Sequence, residues 1–250
     1  MARRVSLWIG IVLTVVGVVS AARGQPDWSA KFRDLVPLSI FPLTFGTYIA
    51  AVRAGNRDRS DNRPPMDEAA PLDGDDRTVA RLGSLVVPVG FTVLLMVMIG
   101  VASRIEGGFR FGEGIDRTES ATYSAFDLLQ PPLVIAVIGA AGIAIGRAFR
   151  WAGPSIVIGL LALFMGLGPW WLWNDRYVYT TALMQVQPLD FPDQYVIHAP
   201  TVALHDLYLL GLIAVFSGLA LRSRPRGRLV IGGASLAALA VVAQLAVSPF

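Results

Sequence analysis

The stretch Leu82–Ser103 reads LGSLVVPVGFTVLLMVMIGVAS, and Arg81 and Arg104 stand just outside its two ends. Within it there is no charged side chain, and the apolar residues neither alternate nor recur at a helical period. An uninterrupted run of about 20 apolar residues matches a hydrocarbon core roughly 30 Å thick. In lipid the backbone must satisfy its own hydrogen bonds, which makes such a run a helix.

Six more segments of the same kind lie on either side. With the first they give seven expected spans, at 5–22, 35–52, 82–103, 128–149, 154–173, 203–221 and 229–247. All 21 basic and 18 acidic residues fall between these segments or at their ends. Composition agrees, with 54% hydrophobic and 16% charged residues against about 25% charged in ordinary globular chains. The expectation is an all-α integral membrane protein forming one transmembrane domain over residues 1–250. It has a cytoplasmic loop at 53–81 and outer loops at 104–127 and 174–202.

Orientation follows from the basic residues, which collect on the cytoplasmic side. With the N-terminus inside, Arg3, Arg4, the six arginines from Arg53 to Arg81, Arg147, Arg150, Arg222, Arg224, Arg226 and Arg228 are internal. Arg23, Lys31, Arg33, Arg104, Arg110, Arg117 and Arg176 are external, so 14 of the 21 basic residues lie inside. The C-terminus is then outside. Met1–Arg23 also carries the marks of a signal peptide, with Arg3-Arg4, an apolar stretch and Ser20-Ala21-Ala22. Its apolar stretch of about 17 residues exceeds the roughly 7–15 of a signal core, and the expectation is a retained helix.

Several chemistries are excluded. With no cysteine there is no disulfide, thiolate metal site or cysteine nucleophile. The single lysine, Lys31, lies outside every span, so no retinal Schiff base can form. No G-x-x-x-x-G-K-[ST] occurs, so any ATP must be bound by another polypeptide. The net charge of +3 reflects the arginine asymmetry and does not point to nucleic acid. Arg222–Arg228 reads as an anchor near anionic lipid.

The cytoplasmic stretch from Arg53 to Arg81 is polar at first and broken at Pro64-Pro65. Met66-Asp67-Glu68-Ala69-Ala70-Pro71-Leu72-Asp73 follows, and Asp76-Arg77-Thr78-Val79-Ala80-Arg81 leads into the third span. Asp67 and Glu68 suit the first turn of a short helix, where the dipole favours acids. The plainer reading is a solvated connection. Two further stretches have a marked pattern. Leu204-His205-Asp206-Leu207-Tyr208-Leu209-Leu210-Gly211-Leu212 opens the sixth span, and Leu128-Leu129-Gln130-Pro131-Pro132, with small residues as far as Gly146-Arg147, forms the fourth.

Together with Trp28 in the first outer loop, this layout resembles the permease subunits of ABC-2-type exporters of the actinobacterial kind. The resemblance covers the organisation from Trp28 to Arg228. It implies a bacterial plasma-membrane permease subunit with no enzyme activity and no cofactor of its own, ATP and magnesium being held by a separate nucleotide-binding ATPase subunit. A second permease copy or a related permease chain completes the pathway. Asp67, Glu68, Leu72 and Asp73 would couple to the ATPase as a lever. Pro37, Pro42 and Pro88, in the spans flanking that lever, are expected hinges or static kinks.

Trp170, Trp171 and Trp173 are expected in an interfacial aromatic belt and, by the resemblance, at an outer gate, with Pro169, Pro188, Pro192 and Pro200 breaking helices there. Gly139, Gly142 and Gly146 form a small-residue surface for close helix packing. His198 and His205 are the two histidines. On a helix they stand about 10 Å apart by the ~1.5 Å rise per residue, too far to share one metal ion, and the plain expectation is a hydrogen-bonded cap at the outer interface. Two other readings stay open at this point: a non-transporting membrane scaffold or sensor subunit, and a membrane redox or hydrolytic enzyme using His198, His205 and Asp206.

Overall fold

The structure is a computed structural model. It describes residues 5–24, 28–56, 74–105, 107, 109–111, 119–121, 124–149, 151–167, 183, 199–221 and 225–247. The elements are α1 (Val5–Gly24), α2 (Trp28–Asn56), α3 (Gly74–Gly83), α4 (Val86–Ile105), β1 (Phe109–Phe111), β2 (Glu119–Ala121), α5 (Ala125–Ala148), α6 (Ala152–Leu167), α7 (Ala199–Ala220) and α8 (Pro225–Val247). Among the described residues a helix overlaps each of the seven expected apolar segments, α6 as far as Leu167 in the fifth. The loop expected at 104–127 contains a short antiparallel ribbon in which Phe109 pairs with Ala121 and Phe111 with Glu119.

Local chemistry sets several boundaries. α5 opens on a capping box: the Asp127 amide donates to Ser124 Oγ at 3.2 Å, and the Ser124 amide donates to Asp127 Oδ2 at 2.8 Å. Such a box satisfies two of the four orphan donors of a helix start. The break between α3 and α4 has its cause in Pro88. A proline lacks the amide that would donate four residues back, and its ring crowds the carbonyl there; four residues back is Ser84. The chain tightens at that point, with Ser84 N donating to Arg81 O at 3.1 Å and Leu85 N to Leu82 O at 3.0 Å. Pro88 therefore divides a polar helix from an apolar one, and it sits in the first turn of α4. Pro200 and Pro225 likewise fall in the first turns of α7 and α8, where a missing amide costs nothing.

Packing is built around α5, of which two-thirds is buried, against about a fifth of α8. α5 lies against α2, α7, α4 and α6, while α1 packs on α2 and α8 on α7. The tightest seams are backbone to backbone. A Cβ added at Gly142 would meet the Tyr48 carbonyl and Ala51, one at Gly146 would strike the Val52 carbonyl, and one at Gly55 would strike the Ile143 carbonyl. Gly139 lies under Leu85. Gly10 and Gly46 bring α1 onto α2 beside the Pro42 carbonyl, and Gly211 and Gly233 bring α7 onto α8.

These pairings also give helix directions. Tyr48 lies beside Gly142 and Val52 beside Gly146, so α2 and α5 run parallel. Gly100 meets Leu128 and Leu85 meets Gly139, so α4 runs against α5. Gly211 meets Gly233 and Gly218 meets Leu229, so α8 runs against α7. One end of the bundle consequently gathers Arg53, Arg147, Arg226, Arg228 and the whole of α3.

The surface is inverted relative to a water-soluble domain. Val12, Val16, Leu94, Val97, Met98, Ile158, Leu161, Ile231, Leu239 and Val242 are all exposed. Thr14, Thr44, Thr47, Thr92, Ser103, Gln130, His205, Asp206 and Gln244 are buried. Among the described residues four helical stretches are long and apolar enough to cross a membrane: Asp75–Ile105, Ala125–Ala148, Pro200–Ala220 and Arg226–Val247. They fit a multi-pass membrane protein. Val5–Ser20 and Gly153–Ala162 are apolar but shorter.

The α2–α5 seam makes a direct prediction. Gly146→Ala places a methyl group against the Val52 main chain and should cost about 1–3 kcal/mol, as overpacking does. Gly232→Ala has no atom within 4 Å of the new methyl and should leave stability unchanged or raised by up to ~1 kcal/mol. Thermal unfolding of the two variants in one detergent checks the contrast.

Candidate functional site

Two groups of polar residues stand out, one at each end of the bundle. The first lies away from the arginine-rich end, where α5, α7 and α8 meet. His205 and Asp206 are the seventh and eighth residues of α7, two turns inside the helix, at 0% and 4% exposure. Gln130 of α5 and Gln244 of α8 are also fully buried. The Gln244 side chain and the Leu183 main chain approach the His205 ring at geometry short of a full hydrogen bond. The Tyr208 ring is tilted against it, 5.4 Å between centroids.

Both carboxylate oxygens of Asp206 are buried with no hydrogen-bond partner among the described residues. The charge that acts on it is Asp127, held in place by Ser124, whose hydroxyl donates to Asp127 Oδ2 at 2.7 Å. Among the described residues the cluster is rich in acceptors and contains no basic side chain other than the histidine.

The second group is α3 and its mooring. Asp75 and Asp76 occupy the first turn and Arg81 the last, as the helix dipole favours. Asp75, Thr78 and Leu82 recur at three- and four-residue spacing on the inward side. Thr78 is fully buried, and Leu82 packs on the cluster of Ala51, Leu85, Ala140 and Ile143. Asp76, Val79, Ala80 and Gly83 form the opposite, exposed stripe. Asp75 Oδ1 pairs with Arg147 Nη1 at 3.7 Å, with side chains 15% and 8% exposed. A short amphipathic helix is thus tied by a largely buried ion pair to the end of the central helix.

Between the two groups, Tyr48 Oη donates to the Ser155 carbonyl at 2.9 Å and its ring lies on Gly159, joining α2 to α6. Among the described residues no three His, Asp or Glu side chains are grouped to hold a metal ion.

Sequence-based expectations fall as follows. Asp67, Glu68, Leu72 and Asp73 lie outside the described residues, as do Trp170, Trp171, Trp173 and His198. Pro37 and Pro42 are within α2, and Pro88 lies in the first turn of α4, where its carbonyl accepts from Thr92 Oγ1 at 2.8 Å. Gly139, Gly142 and Gly146 face helices of the same chain. His205 and Asp206 are interior residues and not a surface cap, because α7 begins at Ala199, ahead of the expected start of the span.

Sequence reasoning passed over Gln130, Gln244 and the Asp75–Arg147 pair. The glutamines carried a signal, as lone amides inside apolar runs. Arg147 had been counted as a topology marker, and nothing linear joins it to Asp75, 72 positions earlier in the chain. Comparison with known proteins returns no match to a family model, a curated protein or a solved structure.

Breaking a buried pair by removing one partner costs more than the pair contributes, because it strands a charge. Arg147→Met should therefore destabilise the protein by about 3 kcal/mol or more. The double variant Asp75→Asn with Arg147→Met should recover most of that loss, and a double-mutant cycle on thermal or denaturant unfolding measures the coupling.

Proposed function

We propose that the chain is the membrane-spanning permease subunit of an ATP-driven exporter of the ABC-2 kind, in a bacterial plasma membrane. It crosses seven times, with the N-terminus and the arginine-rich end cytoplasmic and the C-terminus outside. The observation that carries this reading is α3, a short amphipathic helix moored at the arginine-rich end with an outward stripe of Asp76, Val79, Ala80 and Gly83. The positive-inside rule supports the orientation, and the parallel and antiparallel helix pairings support single crossings.

The mechanism is mechanical coupling. A separate ATPase subunit binds ATP and magnesium, and its closure pushes on the cytoplasmic segment 64–81, of which α3 is the part next to the bundle. Displacement of α3 is transmitted along two routes: through the Ser84–Leu85 break into α4, and through the Asp75–Arg147 pair into α5. Two sites are coupled when rigid elements carry a free-energy difference between them, and α5 touches five other helices. A second permease chain completes the pathway. The exposed apolar faces of α1, α4 and α8 are available to lipid and to that chain.

Purification of the tagged protein in mild detergent, with mass spectrometry of what accompanies it, tests the assignment. The expected result is a stoichiometric ATP-binding subunit that is lost when Asp67 and Glu68 are both changed to Arg. Recovery of the chain alone, under conditions that keep other membrane complexes intact, would overturn it in favour of a scaffold or sensor subunit.

A further inference from the structure

The permease reading makes no use of the buried polar cluster between α5, α7 and α8. We propose that Asp206 is a proton-binding site occluded by the bundle, so that the contact of α7 with α5 depends on its proton.

The argument rests on burial and on partners. Asp206 is 4% exposed and neither carboxylate oxygen has a donor among the described residues. A charged carboxylate without hydrogen-bond donors is strongly disfavoured in a low-dielectric interior, and ionisable groups at membrane depth mark functional positions. Among the described residues, the groups facing it add no compensating charge. α5 presents Asp127, itself an acid. α8 presents Gln244 at this level, its two arginines, Arg226 and Arg228, lying at the other end. α7 itself contributes His205 and Tyr208, both uncharged when His205 is in its neutral form.

Of the ligands that could neutralise Asp206, a proton needs no additional space. A metal ion would need more oxygen or nitrogen donors than the described residues group there. Proton loss would leave an unpartnered negative charge in the α5–α7 contact and weaken it. The site is therefore a proton-sensitive latch. Asp127, the acid of α5 that acts on Asp206, also caps α5.

Infrared spectroscopy of the protein reconstituted in lipid tests the assignment. Free aspartate is ionised at neutral pH, its ordinary value being about 3.9. The expected spectrum at neutral pH contains a protonated-carboxyl C=O band that is lost in Asp206→Asn, displaced in Asp206→Glu and retained in Asp127→Asn. Unfolding temperature should fall with rising pH in the wild type, as the proton is lost, and stay flat in Asp206→Asn. Treatment of the wild type with dicyclohexylcarbodiimide, which adds to protonated carboxyls within membranes, gives a readout that needs no variant: peptide mapping should place the adduct on Asp206. Absence of the infrared band, or its persistence in Asp206→Asn with no adduct on Asp206, would mean that the group is ionised and paired, and would overturn the proposal.

Discussion

The close approach of α2 and α5 is the contact on which the other helices depend. Helices surrounded by hydrocarbon gain little from burying apolar side chains, since lipid is as apolar as leucine, and association has to come from tight packing. Gly142, Gly146 and Gly55 remove the side chains that would hold the two backbones apart. With that seam closed, α5 can also receive α4 through Gly139 and Leu85, while Tyr48 of α2 reaches across to Ser155 and Gly159 of α6. α1 and α7 extend the layer at its two sides, and α8 reaches the bundle through α7.

The same seam explains why the polar residues lie where they do. A bundle whose rim is valine, leucine and isoleucine has nowhere to put a histidine, an aspartate or a glutamine except between helices. His205 and Asp206 of α7 lie at one end, with Gln244 of α8 beside His205 and Asp127 of α5 acting on Asp206, and Arg147 and Asp75 occupy the junction of α5 with α3 at the other. α5 links the two groups, being the helix that touches both. A displacement begun at α3 has a continuous packed path to the neighbourhood of Asp206, and a change in the Asp206 proton has the same path back.

Much of this was legible in the sequence, for identifiable reasons. Leu82–Ser103 and the long apolar helices at Ala125–Ala148, Pro200–Ala220 and Arg226–Val247 were visible because a membrane helix needs a long apolar run, and charges could be sorted to the ends. Glycine spacing marked Gly142 and Gly146 as a packing surface, although only three dimensions show that the partner is Tyr48–Val52. Pro88 announced a break but not its outcome, which is a polar α3 set apart from α4 at Ser84. Pro200 lies in the first turn of α7, which begins at Ala199, ahead of the expected start of the span, and so draws His205 and Asp206 inward. The Asp75–Arg147 pair was illegible, because a contact between two distant positions leaves no mark in either neighbourhood.

The side of the membrane on which α3 lies decides the account most directly, since ATP is available on one side alone. The chain has no native cysteine, so single cysteines report without background. Val79, 56% exposed on α3, and Ile105, 77% exposed at the far end of α4, are suitable positions. In intact cells a membrane-impermeant maleimide should label Ile105→Cys and leave Val79→Cys unmodified until the membrane is permeabilised. Labelling of Val79→Cys in intact cells, with Ile105→Cys protected, would put α3 outside and contradict both the orientation and the coupling role built on it.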